Sequence, residues 1–161
     1  MGVGKSSIGR RLAHVLGMPF RDADHEIEAA AGYSVSEIFA KFGEAAFRDG
    51  ERRVIARLLE EPPHVLATGG GAFMNPDTRR LIREKATSIW LRADIEVLAR
   101  RVARKNTRPL LKDRDPFETL TALAEARHPV YAEADITIDS VESPHGTAVR
   151  AIIDALEARA R

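Results

Sequence analysis

The chain contains no cysteine. That excludes a disulfide framework and thiolate catalysis, and a reducing cytoplasm is an adequate setting for such a protein. No apolar run approaches the length of a membrane span and no secretory signal opens the sequence, so a membrane role is not expected and a cytoplasmic location is. Charge of one sign is not in excess either: 25 Lys and Arg face 24 Asp and Glu, a formal net charge of +1. A nucleic-acid binder would carry a lopsided balance, so no nucleic-acid partner is expected. Repeats, low-complexity tracts and linkers are missing, and the five histidines show no metal-ligand spacing. What remains is 161 residues, enough for one domain with a real core.

One further absence sits inside a motif. Gly2-Val3-Gly4-Lys5-Ser6-Ser7 ends as the phosphate-binding pattern G-x-x-x-x-G-K-[ST] ends, but its leading glycine would fall before Met1. So would the strand that delivers a chain into such a loop. The part present has definite chemistry. Glycines let backbone N–H groups crowd against phosphate oxygens, and the helix that follows directs its positive end at the same anion. Lys5 can reach the β- and γ-phosphates and the Ser6 hydroxyl can hold Mg²⁺. The plainer alternative is a Gly-rich turn before a surface helix, and the rest of the chain has to decide.

Helical spacing of Ile8, Leu12, Val15 and Leu16 predicts a first helix, stopped by Gly17 and Pro19. Met18–Phe20 reads as a short strand running into Asp22 and Asp24. A helix is expected over 24–31 to Gly32, and Ser34 with Glu37 marks the start of another that Gly43 breaks. Residues 44–60 are helical again until Pro62 and Pro63. The apolar runs 64–68, 88–91 and 136–138 read as strands, and helices are expected at 76–84, at 94–104, from about 116 to 133, and at the C-terminus. Short apolar strands alternating with helices indicate a parallel α/β sheet, whose ligands sit at the carboxyl ends of the strands. Gly4-Lys5-Ser6, Asp22-Ala23-Asp24 and Gly69-Gly70-Gly71 all follow strands, so they are expected to converge on one rim.

Each of these segments has a physical reading of its own. Asp22 and Asp24 are carboxylates one residue apart beyond a strand, able to face different ligands; the alternative for Asp24 is a plain helix cap. Arg48 and Glu51 lie three apart on a helix and share a face, so Glu51 can brace Arg48 to meet a carboxylate. Taken blandly the two are a surface ion pair worth under ~1 kcal/mol. Three glycines in a row after a buried strand offer several backbone N–H groups unhindered by side chains, where a bland turn needs one or two.

Taken together, these segments closely resemble the shikimate kinase family. The matching runs are Gly2 to Arg10, Phe20 to Asp24 with Ile27 and Glu28, Ile38-Phe39, Gly43-Glu44, Phe47-Arg48 with Glu51, Gly69–Gly71, Arg108-Pro109-Leu110-Leu111, and Arg127 with Tyr131. They span nearly the whole chain in the family's order. The resemblance implies a three-layer α/β/α P-loop kinase fold with a parallel sheet of order 2-3-1-4-5, strand 1 missing from this chain. It implies one domain over 1–161, with a substrate-binding helical segment at about 23–60, a lid at about 104–116, and a monomer.

It also implies ATP and Mg²⁺, with shikimate as acceptor and shikimate 3-phosphate as product. Gly2, Val3, Gly4, Lys5, Ser6 and Ser7 would cradle phosphate, and Ser6 and Asp22 would organise Mg²⁺, Asp22 through water. Asp24 would hold the acceptor hydroxyl and favour its deprotonation. Arg48 and Arg127 would grip the acceptor carboxylate, Gly69, Gly70 and Gly71 would donate backbone hydrogen bonds, and Phe39 and Phe47 would form an apolar wall. Arg108 would bring a cation to the transferring phosphoryl as the lid closes. Arg100 or Arg101, with Pro144, would clamp adenine. For the absent first strand there are two explanations. Met1 is an internal methionine of a longer natural chain, or the protein is a damaged, non-catalytic nucleotide-binding relative. The intact downstream positions favour the first. A third reading is another P-loop small-molecule kinase, such as a gluconate kinase, whose acceptor is also an acid.

Overall fold

The structure, a computed structural model, describes residues 5–92, 116–139 and 145–160. Gly2, Val3, Gly4, Arg100, Arg101, Arg108 and Pro144 lie outside the described residues, as do the expected helix at 94–104 and all of the expected lid but Pro116.

Helix α1, Lys5–Leu16, buries Ile8, Leu12 and Ala13 on one face. Strand β1, Phe20–Asp22, begins two residues later than the sequence suggests. Pro19 contributes only its carbonyl, which accepts from the Val65 N–H at 2.9 Å. Helix α2, Ala23–Ala31, is capped by the Asp22 side chain, which accepts from the Asp24 N–H. The cap expected as an alternative role for Asp24 therefore belongs to its neighbour, because Asp22 is the last extended residue before the helix. Gly32 closes α2 in the left-handed region at φ 77°.

Ser34 and Glu37 form a reciprocal capping box at the start of α3, Val35–Leu58. Gly43 sits inside α3 at φ 86°, ψ 170°, a conformation closed to other residues, and divides it into the two helical pieces expected from the sequence. There follow β2 (Val65–Ala67), a 3₁₀ turn (Ala72–Met74), α4 (Pro76–Lys85) and β3 (Ile89–Arg92). After these come α5 (Pro116–Tyr131), β4 (Ile136–Asp139) and α6 (His145–Ala160).

Among the described residues the strands form two parallel pairs. β1 lies beside β2, with Phe20 opposite Val65 and Asp22 opposite Ala67. β3 lies beside β4, with Ile89 opposite Ile136 and Arg92 opposite Asp139. This is the arrangement left when an order of 2-3-1-4-5 is read without its middle strand. A cavity of about 630 Å³ separates the pairs, lined by Val65, Leu66 and Ala67 from one side and Ile89, Trp90 and Leu91 from the other.

Two cores flank it. Ile8 and Leu12 of α1 pack with Ile136 and Ile138 of β4 and Val149 and Ile152 of α6. Ile27, Ile38, Phe47, Val54 and Leu58 pack α2 against α3. Helix α1 touches β2 as well as α6, so the start of the chain bridges the two halves.

Candidate active site

Parallel pairing sets the carboxyl end of β1 beside that of β2, and the N-terminus of α1 meets both. Ser6 Oγ consequently donates to Asp22 Oδ2 at 3.0 Å, while Asp22 Oδ1 accepts from the Asp24 N–H at 3.0 Å. One carboxylate thus starts α2 and reaches the first turn of α1. Among the described residues no group of three or more potential metal-binding side chains occurs. Mg²⁺ does not need one. It keeps several waters and takes one or two protein oxygens plus substrate phosphates, and the adjoining Ser6 hydroxyl and Asp22 carboxylate are hard oxygens of the right type.

A second set of groups surrounds the Gly69–Gly71 segment. Arg48 Nη1 donates to Glu51 Oε1 at 3.0 Å, and Glu44 lies 3.5 Å from Nη2. The pair is not the bland surface bridge: Glu51 is only 3% exposed, and its Oε2 is buried without a hydrogen-bond partner among the described residues. Burial pushes the Glu51 carboxyl up from its ordinary value, opposed by the neighbouring Arg48 guanidinium.

Gly70 and Gly71 are explained by what a side chain there would collide with, while a side chain at Gly69 would make ordinary contacts. A Cβ at Gly69 would lie 3.5 Å from Asp24 Oδ1 and 3.6 Å from Glu51 Oε2, so both acids face that residue. At Gly70 it would come within 2.8 Å of Arg127 Nη1 and 2.9 Å of the Tyr131 hydroxyl. At Gly71 it would run into the Arg48 guanidinium. The segment is therefore threaded between two arginines. Sequence reasoning credited the glycines with freeing backbone N–H groups; the structure adds that Gly70 and Gly71 make room for cations.

Asp24, Arg48 and Arg127 thus meet around three consecutive backbone units, and Lys5 and Arg127 both line the central cavity. Phe39 and Phe47 stand 4.8 Å apart. Phe47 belongs to the α2–α3 core and also lies under Arg48, 5.1 Å from the guanidinium carbon, so packing and a place beside the site are compatible. Sequence reasoning passed over Tyr131, noting it beside Arg127 without a role. The signal was its spacing, four residues on along a helix.

The family model described as "Shikimate kinase" matches residues 1–157. The chain belongs to the shikimate kinase family. A "Shikimate kinase" of Caulobacter vibrioides is 69% identical over 156 residues, 97% of this chain and 78% of that protein. A second, of Paramagnetospirillum magneticum, is 59% identical over 151 residues, 93% of this chain and 77% of that one. Among solved structures, "Shikimate kinase from Acinetobacter baumannii in complex with shikimate" superposes with a TM-score of 0.95 at 35% identity, covering 99% of this chain and 89% of that one. The fold is accordingly the P-loop α/β kinase fold of the shikimate kinase family, as the ordered motifs implied.

Proposed function

We propose that this chain transfers the γ-phosphoryl group of ATP to a hydroxyl of shikimate, giving shikimate 3-phosphate and ADP in the route to chorismate and the aromatic amino acids. The reading rests on family membership together with one geometric observation, the Gly69–Gly71 segment held between Arg48 and Arg127 with Asp24 and Glu51 facing its first residue. Two fixed guanidiniums beside backbone donors suit a small carboxylate bearing hydroxyls and make neutral sugars poor acceptors.

In this scheme Arg48 and Arg127 bind the carboxylate and Gly69, Gly70 and Gly71 contact the acceptor. Asp24 orients the hydroxyl to be phosphorylated and favours loss of its proton. Lys5, with Gly2, Val3, Gly4, Ser6 and Ser7, would hold the nucleotide phosphates; Arg108 would add charge at the transferring group, and Pro144 would contact adenine. Ser6 and Asp22 would hold Mg²⁺, which supplies charge neutralisation on the phosphates when bound. Residues 23–60 form the acceptor-binding segment and 104–116 the lid of one domain, acting as a cytoplasmic monomer without nucleic-acid or membrane partners. Among the described residues no helix is long and apolar enough to cross a membrane.

The test is ADP release in the presence of ATP and a panel of acids. Turnover is expected with shikimate and not with gluconate, and turnover with gluconate alone would replace the proposal. A thermal shift with ATP but no ADP formation with any acid would favour a nucleotide-binding relative instead.

A further inference from the structure

Between Arg127 and the glycine segment stands a side chain that the kinase scheme does not use. Tyr131 lies on the same face of α5 as Arg127, and its hydroxyl donates to the Gly70 carbonyl. Arg127 Nη1 and the Tyr131 hydroxyl converge on the same side of Gly70, 2.8 Å and 2.9 Å from where a Cβ would stand. The ring is held in place from behind: its centroid is 5.7 Å from Trp90 of β3 and 6.3 Å from His128, and Trp90 and His128 are 5.1 Å apart. Burial pushes the Tyr131 phenol up from its ordinary value, so at neutral pH it stays protonated and remains a donor.

We propose that Tyr131 is a positioning residue that ties Arg127 and the Gly69–Gly71 backbone into one unit, so that the cation for the acceptor carboxylate and the neighbouring peptide groups are set together. A glycine segment has many accessible conformations, and something must select one. The Tyr131 hydroxyl holds the Gly70 C=O, and because the peptide is planar and trans this turns the Gly71 N–H the opposite way. Arg127 Nη1 lies against the same glycine, so a long side chain that otherwise pays rotamer entropy on binding an anion is set beside the held peptide. The 3₁₀ turn carries the constraint onward, since the Ala72 N–H donates to the Gly69 carbonyl and the Met74 N–H to that of Gly71, each at 3.2 Å. The consequence for the acceptor rests on the kinase reading above; the tie itself does not.

Tyr131→Phe deletes the hydroxyl and keeps the ring against Trp90 and His128. The KM for shikimate should rise about tenfold while kcat and the KM for ATP stay within about twofold, the signature of lost ground-state positioning. In an Arg127→Ala background the same substitution should add nothing, because the two groups act on the acceptor through the one glycine segment they both meet at Gly70. In the ligand-free protein, amide exchange at Ala72 and Met74 should quicken by about tenfold. An unchanged KM for shikimate, equal losses for both ligands, or full additivity with Arg127→Ala would overturn the proposal. Should the unsubstituted protein fail to phosphorylate shikimate, the kinase reading falls, and the exchange rates still decide the tie: faster exchange in Tyr131→Phe supports it and unchanged exchange removes it.

Discussion

The two sides of the proposed reaction centre are built differently. On the phosphate side, Lys5, Ser6 and their neighbours are consecutive in sequence and lie at the start of a single helix, and tertiary structure adds Asp22 through one hydrogen bond. On the acceptor side, Asp24 lies in the first turn of α2, Arg48 and Glu51 project from α3, the glycines follow β2, and Arg127 and Tyr131 stand on α5. A local motif makes the first side recognisable from a handful of letters. The second exists only when four elements close on one another. Damage to the phosphate side should therefore slow the chemistry, whereas damage to the acceptor side should appear as lost acceptor affinity.

Lys5→Ala offers the largest test of that contrast. Removal of a preorganised cation from phosphoryl transfer should lower kcat by about a hundredfold or more while shikimate binding persists. Comparable loss of shikimate binding would show that the two sides are not separable. Arg48→Ala is next. With one of two carboxylate-directed guanidiniums gone and Glu51 left buried and unbraced, the KM for shikimate should rise about a hundredfold, with ATP binding within about twofold by calorimetry. Equal loss of both ligands would indicate misfolding and remove the assigned role.

Gly70→Ala comes third. Its Cβ would sit 2.8 Å from Arg127 and 2.9 Å from Tyr131, so both must shift, and a rise of about tenfold in the acceptor KM is expected in steady-state kinetics. Wild-type kinetics would mean that acceptor binding does not depend on where Arg127 and Tyr131 sit beside Gly70.

Glu51→Gln sharpens the comparison in a different way, because it separates function from stability. Burial raises the folded-state value for this carboxyl above the unfolded one, so the folded protein binds the proton more tightly. The stability this group contributes is complete below the unfolded value and is lost as pH rises through the raised folded value. Glutamine removes that titration, so Tm near pH 8 should be equal or higher than wild type while the shikimate KM rises a few-fold, about 1 kcal/mol of lost bracing. A Tm that falls at pH 8 but not at pH 5 would contradict the sign. The smallest effect is reserved for Asp49→Asn. Asp49 pairs with Arg52 and Arg53 on the same helix as Arg48, but all three side chains are exposed, so stability and both KM values should hold within about 0.5 kcal/mol.

Several features could be read in advance because their causes are local. The capping box at Ser34 and Glu37, the stop at Gly32 and the break at Gly43 follow from side chains within a few residues of one another. The strand boundaries were legible to within a residue or two, since apolar runs mark burial but not which edge finds a partner. Beta-strand β1 shows the limit: Met18 was expected inside it, but pairing with β2 begins at Phe20. The cap of α2, open to Asp24 only as an alternative role, falls to Asp22, because which carboxylate turns back on the helix depends on where pairing with β2 ends. Nothing in the letters around residue 131 says that its hydroxyl will reach a carbonyl 61 positions earlier.

Sequence alone determined the kind of chemistry on offer: a lysine and a serine at a helix start, two acids beyond a strand, a braced arginine, a run of glycines. It also determined their order, and through hydrophobic periodicity the elements that carry them. Tertiary structure decided which of these groups touch. Only the packing of α3 and α5 around the end of β2 turns Gly69–Gly71 into a passage between two guanidiniums, gives Glu51 its burial and gives Tyr131 its partner. The physical reason is that charge and hydrogen-bonding capacity belong to residues, whereas desolvation and orientation belong to neighbourhoods, and neighbourhoods exist only once distant segments have been brought together.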